Sequence, residues 1–210
     1  MTSLEIYWSF RSPYSYLAVN RLQKIIDQYN VEADFRIVRP LALREDGFFK
    51  NARPQFVPYL VKDMLREGQR LGVPIKFPNP DPIIMDLGTG EVAEDQPYIT
   101  RLMALGIAAV EKGQGFAFAK AVSARIWAGI EGWDKPPHLS EAASEAGLVL
   151  SDLEDWAAAN EGHISAAIAR NESAQMKHHW GVPLMVLNNE ESFFGQDRLD
   201  ALEWRLQQIG

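Results

Sequence analysis

Two serines placed three residues apart, Ser12 and Ser15, are the side chains of this sequence best placed to do chemistry. They enclose Pro13 and Tyr14 and follow an apolar segment. A disulfide-exchange enzyme would carry cysteines at both positions, but the chain contains no cysteine and has no thiol of its own to exchange. The proline favours the first turn of a helix, where unpaired N–H groups and a partial positive charge attract an anion. The run therefore predicts a site for a thiolate that a ligand brings.

Ser12 also has a purely structural interpretation. A serine before a helical proline is a common N-cap, which stabilises a helix by about 1 kcal/mol. In the functional interpretation, the Ser12 hydroxyl donates a hydrogen bond to the ligand's sulfur, because a free thiol with a pKa of about 8.5 is mostly protonated at neutral pH. Lowering that pKa by about two units corresponds to about 2.7 kcal/mol. Ser15 is expected to be structural.

The apolar patterns around these serines predict a strand, a helix and a second strand. Residues 4–10 and 31–38 have the composition or alternation of strands, and residues 13–29 have helical spacing. Such a unit places its two strands parallel. Near the other end of the sequence, residues 181–187 and 190–194 predict a hairpin, followed by a final helix.

The long middle of the sequence shows no convincing strand. It predicts successive helices, one of them opened by a capping box over residues 151–154. We therefore predict an α/β fold in which a thioredoxin-like domain, residues 1–40 with 181–210, is interrupted by a large all-helical insertion domain, residues 41–180.

The returning β segment carries further candidates for binding. The Val182–Pro183 peptide bond is predicted to be cis, which would leave the N–H and C=O of Val182 free to pair with an extended peptide. Asp197 could accept a hydrogen bond from an ammonium group, or it could be an ordinary acidic residue of a helix start. Arg198 is expected to form an ion pair within the chain.

A basic loop in the middle of the sequence could hold a substrate carboxylate. Its candidates are Arg44, Asn51 and Arg53, and the alternative is a solvated loop without a ligand. The neighbouring His178 and His179 would point about 100° apart on a helix and could not share one ion, so no metal site is expected.

Composition narrows the class of partner. The net charge is −7 without a dense basic stripe, which argues against nucleic acid. No apolar run approaches the roughly 18 residues of a membrane span, and no secretory signal is recognisable. Together with the lack of cysteine, these features predict a soluble protein of the cytoplasm.

Three motifs taken together resemble those of the 2-hydroxychromene-2-carboxylate isomerases and the related kappa-class glutathione transferases. They are Phe10-x-Ser12-Pro13-Tyr14-Ser15-Tyr16-Leu17-Ala18, Gly181-Val182-Pro183 and Phe194-Gly195-Gln196-Asp197-Arg198-Leu199. The resemblance spans the whole chain. It implies a thioredoxin fold with an inserted helical domain, a homodimer, and glutathione bound between the two parts.

The resemblance also implies roles for individual residues. Ser12 would be the catalytic residue that hydrogen-bonds the glutathione sulfur. Val182, before the cis-proline Pro183, would pair its backbone with the cysteinyl part of the tripeptide. Gln196 and Asp197 would hold the γ-glutamyl end.

We therefore expect a glutathione-dependent isomerase that acts on an aromatic or unsaturated keto acid of the 2-hydroxychromene-2-carboxylate type. One alternative is a kappa-like glutathione transferase, whose product retains the sulfur. The other is a cysteine-less, non-catalytic peptide-binding module, which would have no affinity for glutathione.

Overall fold

A four-stranded sheet forms the centre of the computed structural model, which describes residues 2–86 and 88–209. Its strands are β1 (Ser3–Trp8), β2 (Glu32–Ile37), β3 (Leu184–Leu187) and β4 (Glu191–Phe194), in the order β2-β1-β3-β4. β1 and β2 are parallel, whereas β1 with β3 and β3 with β4 are antiparallel. The parallel pair and the hairpin that the sequence predicts are confirmed.

β1 has buried side chains on both faces of the sheet. Leu4 and Ile6 belong to the main apolar core, whereas Tyr7 packs with Leu184 and Val186 in a smaller cluster. This arrangement explains why apolar and aromatic residues are consecutive from Ile6 to Trp8 instead of alternating with polar ones.

Nine helices are assigned in the described ranges. They are α1 (Pro13–Tyr29), α2 (Leu41–Arg44), α3 (Phe56–Leu71), α4 (Pro97–Glu111), α5 (Gly115–Trp127), α6 (His138–Glu145), α7 (Leu150–Ala159), α8 (Glu161–Gln175) and α9 (Leu199–Ile209). Between β2 and β3, the described residues form only helices and loops, apart from one isolated bridge between Met85 and Val92. This is the α/β, thioredoxin-like fold with a helical insertion that the sequence predicts.

Two local predictions about the helices are wrong. The predicted capping box at Ser151 is absent, because α7 begins earlier, at Leu150, with Val149 at the N-cap and no side-chain cap. Leu150 packs against the core, so burial of its side chain accounts for the earlier start. The short helix α2 lies in a segment that the sequence indicated to be irregular.

The helical segment packs directly against the sheet. A Cβ atom on Gly106 of α4 would overlap the side chain of Ile37 in β2, so only glycine permits this close approach. One continuous apolar core includes residues of both parts. The boundaries predicted for two separate domains stay a prediction.

Membrane crossing needs a helix that is both long and apolar. Across the two described ranges, no helix meets that requirement.

Candidate functional site

Ser12 is the N-cap of α1. Its backbone is extended, with φ −99° and ψ 113°, and its Oγ accepts a hydrogen bond of 3.1 Å from the Ser15 N–H. The same hydroxyl donates to the carbonyl oxygen of Val182 at 3.4 Å. Ser12 is 9% exposed, so the hydroxyl lies at the edge of the core. The structural role of Ser12 as an N-cap is therefore confirmed, and its hydroxyl also contacts the Val182 peptide.

The N-terminus of α1 favours a negative charge at Ser12. Pro13 occupies the first turn, which contains no acidic residue. The Ser15 N–H is bound to the cap and the Tyr16 N–H donates to the Ser12 carbonyl, whereas the Tyr14 N–H has no acceptor within the described residues. Together with the helix dipole, this N–H leaves partial positive charge beside the hydroxyl.

The side chain of Tyr14 contacts the helical segment. Its hydroxyl donates to a carboxylate oxygen of Asp63 in α3 at 2.7 Å. Burial, together with this hydrogen bond, raises the pKa of Tyr14 well above its usual range. The hydrogen bond from the phenol to Asp63 links the start of α1 to α3.

The Val182–Pro183 peptide bond is cis, as the sequence predicted. The Pro183 carbonyl accepts the Gly195 N–H at 2.9 Å, which ties the segment to the end of β4. The N–H of Val182 donates to no acceptor in the part of the chain that the structure describes. Val182 therefore has a donor without a partner, and its carbonyl is held only by the long bond to Ser12.

Gln196 and Asp197 lie in a single turn of 3₁₀ helix just before α9. Gln196 is only 4% exposed, and its Nε2 donates to Glu67 of α3 at 2.7 Å. Its Oε1 is buried and accepts no hydrogen bond from any described residue. The Asp197 side chain is 60% exposed and lies 3.8 Å from Arg198, so the predicted ion pair of Arg198 forms in a solvated setting.

Gly195 sets the direction of this turn. Its φ of +100° is unfavourable for other residues, and an added Cβ would lie 2.5 Å from the Asp197 carboxylate. Arg21 of α1 also donates to the Gln196 carbonyl at 3.5 Å. These contacts place the Gln196–Asp197 turn beside α1.

Arg11, the neighbour of Ser12, is fixed by the helical segment. Its guanidinium forms a two-pronged ion pair with Asp81, and both side chains are largely buried. It also lies over the rings of Phe77 and Trp127, at 5.3 and 5.6 Å. Sequence reasoning missed this contact because Asp81 lies 70 positions away along the chain and has no motif of its own.

The three candidates of the basic loop have different surroundings. Arg44 donates to the Gln175 side chain at 2.8 Å and to the Trp180 carbonyl at 2.9 Å. Burial lowers its pKa below the usual arginine range. Asn51 and Arg53 are exposed. A substrate-binding role for the three stays a prediction.

An aromatic surface borders the segment before Val182, and sequence reasoning did not single it out. We define it by Phe48, Phe56, Trp180 and Phe194. The ring centroid of Phe48 lies 6.0 Å from that of Phe56 and 6.5 Å from that of Trp180. The centroids of Trp180 and Phe194 are 5.8 Å apart. Trp180 is 44% exposed, so part of the surface is open to solvent.

His179 makes packing and backbone contacts at the segment before Val182. Among residues 2–86 and 88–209, no group of three or more His, Asp or Glu side chains could hold one ion. Instead, Nδ1 of His179 accepts the Gly181 N–H at 3.0 Å, and its ring stacks on Phe194 with centroids 3.9 Å apart.

Comparisons with known proteins agree with this fold. A family model for the DSBA-like thioredoxin domain matches residues 3–207. The 2-hydroxychromene-2-carboxylate isomerase of Sphingobium xenophagum is 27% identical over 206 residues, which cover 96% of each chain. Among solved structures, a 2-hydroxychromene-2-carboxylate isomerase is similar with a TM-score of 0.71 at 24% identity, covering 99% of this chain and 95% of that one.

A more distant solved structure shares the fold. The cytosolic disulfide reductase DsbM of Pseudomonas aeruginosa, solved with GSH, has a TM-score of 0.60 at 16% identity and covers 99% of this chain and 98% of its own. The resemblance to 2-hydroxychromene-2-carboxylate isomerases that the motifs indicated is confirmed by the curated and structural matches. Because the family model spans nearly the whole sequence, the chain belongs to the DSBA-like thioredoxin domain family.

Proposed function

We propose that this protein is a glutathione-dependent isomerase of an unsaturated aromatic keto acid of the 2-hydroxychromene-2-carboxylate type. The observation that carries the proposal is the Ser12 hydroxyl at the N-terminus of α1, 3.4 Å from the Val182 carbonyl, in a chain without cysteine. Two relatives that match nearly the full length are named 2-hydroxychromene-2-carboxylate isomerase. A disulfide reductase of the same fold was solved with GSH, which makes this tripeptide the ligand to test.

The residues around Ser12 fit glutathione. The unpaired N–H of Val182 and its weakly held carbonyl offer one donor and one acceptor, the pair that an extended peptide needs. The exposed carboxylate of Asp197 supplies an acceptor for an ammonium group, and the neighbouring Gln196 has a buried Oε1 that accepts no hydrogen bond from the described residues. These groups would hold the cysteinyl and γ-glutamyl parts, respectively.

Ser12 would hold the sulfur in its charged form. Its Oγ keeps the Ser15 N–H as a donor, and its single proton, which in the free protein makes only the long bond to the Val182 carbonyl, would turn to the sulfur atom. The free Tyr14 N–H and the dipole of α1 act in the same direction. Because hydrogen bonds to the charged form lower a pKa, this environment favours the thiolate at neutral pH.

When bound, glutathione would supply a thiolate that adds to an electrophilic carbon of the substrate and leaves again from the same carbon. The chain's own contribution is to orient the partners. The aromatic surface offers partly exposed rings beside the segment that leads to Val182, against which an aromatic acid can stack. Two exposed polar residues of the neighbouring loop, Asn51 and Arg53, are proposed to bind its carboxylate.

Titration calorimetry with glutathione tests the proposal first. We expect binding at millimolar concentration or below, and a pKa of the bound thiol that is about two units lower than in solution. Ser12→Ala should restore most of the solution pKa, whereas the matched variant Ser15→Ala should not. If Ser12→Ala kept full activity and the same lowered pKa of the bound thiol as the parent protein, Ser12 would have no role in the mechanism.

The fate of the sulfur separates the remaining possibilities. An isomerase regenerates glutathione at each turnover, so one equivalent should convert many equivalents of substrate. A transferase would consume one glutathione per product and leave sulfur in it. Failure to bind glutathione at all would favour the peptide-binding module.

Two further properties belong to the proposal. A homodimer, which the family resemblance implies, is tested by sedimentation velocity on the purified chain. A cytoplasmic location would supply the glutathione in its reduced form; fractionation of the source cells tests it.

A further inference from the structure

We infer that Arg44 and Gln175 form a clamp that positions the Val182 peptide and thereby sets how strongly the site stabilises a thiolate. The inference rests on the proposed function, since the thiolate belongs to bound glutathione. It assigns Arg44 to the protein's own backbone rather than to the substrate.

Gln175 is the centre of the clamp. It is the last residue of α8 and is 0% exposed, which is unusual for a side chain that carries an amide group. Its Nε2 donates to the Gly181 carbonyl at 2.7 Å and to the Trp180 carbonyl at 3.4 Å. Its Oε1 accepts from Arg44 at 2.8 Å. A buried amide with this set of partners fixes one arrangement of the groups around it.

Arg44 completes the clamp from the other side. Its second donating nitrogen binds the Trp180 carbonyl at 2.9 Å, so one guanidinium bridges the Gln175 side chain and the backbone five residues later. Both terminal nitrogens of this guanidinium are therefore already bound to acceptors of the protein itself. The third, Nε, is buried and has no partner within the described residues. The Arg44 guanidinium therefore binds the loop before Val182.

The clamp acts on the two peptides immediately before Val182. Gly181 is held at both ends, because its N–H donates to His179 and its carbonyl accepts from Gln175. On the far side, the Pro183 carbonyl accepts the Gly195 N–H. Val182 lies between these two anchored points, with its own N–H unpaired and its carbonyl 3.4 Å from Ser12.

Position matters at Val182 because the Ser12 proton has two possible acceptors. If the Val182 carbonyl moved closer to Ser12, it would retain the proton in a stronger bond and leave less for the sulfur. If it moved away, the ligand's backbone would no longer be held in register with the hydroxyl. The clamp therefore controls the pKa of the bound thiol without touching it.

Arg44→Lys is the most selective test. Lysine keeps the charge, but its single ammonium cannot reproduce the planar bridge between two acceptors. Arg170→Lys is the matched control, because Arg170 is exposed on α8 and makes no ion pair with another described residue. Gln175→Met removes the amide at similar size, and the double variant tests whether both act as one unit.

The readouts are the ultraviolet absorption of the bound thiolate against pH, the glutathione Kd, and amide exchange at Gly181 and Val182. We expect Arg44→Lys and Gln175→Met to raise the pKa of the bound thiol by about one unit, a tenfold change in the ionisation constant, and to speed exchange. The double variant should add little. Arg170→Lys should match the parent protein.

Three results would overturn the inference. A parent-like thiol pKa in folded Arg44→Lys would exclude the clamp while leaving the proposed function intact. A raised KM for the aromatic acid with an unchanged thiol pKa would make Arg44 a direct substrate contact instead. A parent protein that binds no glutathione would overturn the proposed function and this inference together. If Gln175→Met does not fold, Arg44→Lys alone decides.

Discussion

The Ser12 hydroxyl lies 3.4 Å from the carbonyl oxygen of Val182, which is long for a bond between two oxygens. Each of these groups has a stronger partner in the proposed complex: the hydroxyl has the glutathione sulfur, and the carbonyl has the amide of the cysteinyl residue. Ligand binding would therefore exchange one weak bond for two better ones. The weakness of the bond in the free protein is part of how the site can bind.

The two serines of the opening motif should differ in their contribution to stability. Ser12 caps α1, so Ser12→Ala should lower the free energy of unfolding by about 1 kcal/mol. The Ser15 hydroxyl is buried without a partner in the described structure, so Ser15→Ala should be neutral or stabilising. Denaturant unfolding of both variants measures the difference. Equal losses would contradict the assignment of the cap.

Asp197 should affect glutathione affinity rather than folding. Because its side chain is largely exposed, Asp197→Asn should leave the unfolding midpoint unchanged. It should weaken glutathione binding about tenfold, since a bond between an ammonium and a carboxylate is replaced by one to a neutral amide. Calorimetry checks the affinity, with Glu190→Gln, an exposed acid that forms no ion pair with another described residue, as the control. Equal effects of the two variants would point to general charge rather than a contact.

The ion pair between Arg11 and Asp81 should be worth more than a surface pair. Arg11→Met leaves a largely buried carboxylate without its partner and should cost about 3 kcal/mol. Arg101→Met, which breaks a half-exposed pair with Glu154, should cost less than about 1 kcal/mol. A double-mutant cycle of Arg11→Met with Asp81→Asn should give a coupling energy above about 1 kcal/mol. Additive losses would rule out a direct pair.

His179 should make the protein less stable in mild acid. Burial lowers its pKa below the ordinary value of 6.5, so the unfolded chain binds the proton more readily than the folded one. Its contribution to stability is therefore fully present above pH 6.5 and is lost as the pH falls toward the folded pKa. Protonation also removes the Nδ1 acceptor of the Gly181 N–H.

Unfolding measured as a function of pH checks this effect. His179→Phe keeps a ring between its neighbours but cannot titrate, so the acid slope should flatten even if overall stability falls. His178→Phe should retain the slope. A slope that persists in His179→Phe would assign it to other groups.

Much of the fold follows from local sequence patterns. The apolar runs of β1 and β3, the spacing of α1 and the proline that opens it are each visible within a few residues. The start of α7 was misplaced because burial of Leu150 outweighs a hydroxyl cap at Ser151. Intrinsic capping preferences are small beside the burial of one leucine.

The candidate site was predictable only where its residues carry a motif. Ser12, Val182 and Gln196 lie in recognisable runs, and the structure places the first two within hydrogen-bond distance. Arg44 and Gln175 of the clamp lie more than a hundred positions apart in the sequence, and Arg11 and Asp81 lie 70 positions apart. No spacing rule connects residues at such separations. Their partners are chosen by tertiary packing alone.

The bond from Arg11 to Asp81 has a consequence for anyone who recombines related proteins. Ser12 sits next to a residue whose partner comes from a loop of the helical segment, so the two halves of the molecule are not interchangeable parts. A chimera that takes its helices from one parent and its sheet from another must transfer positions 11 and 81 together. Otherwise it will carry a charge without its partner one residue from the Ser12 hydroxyl.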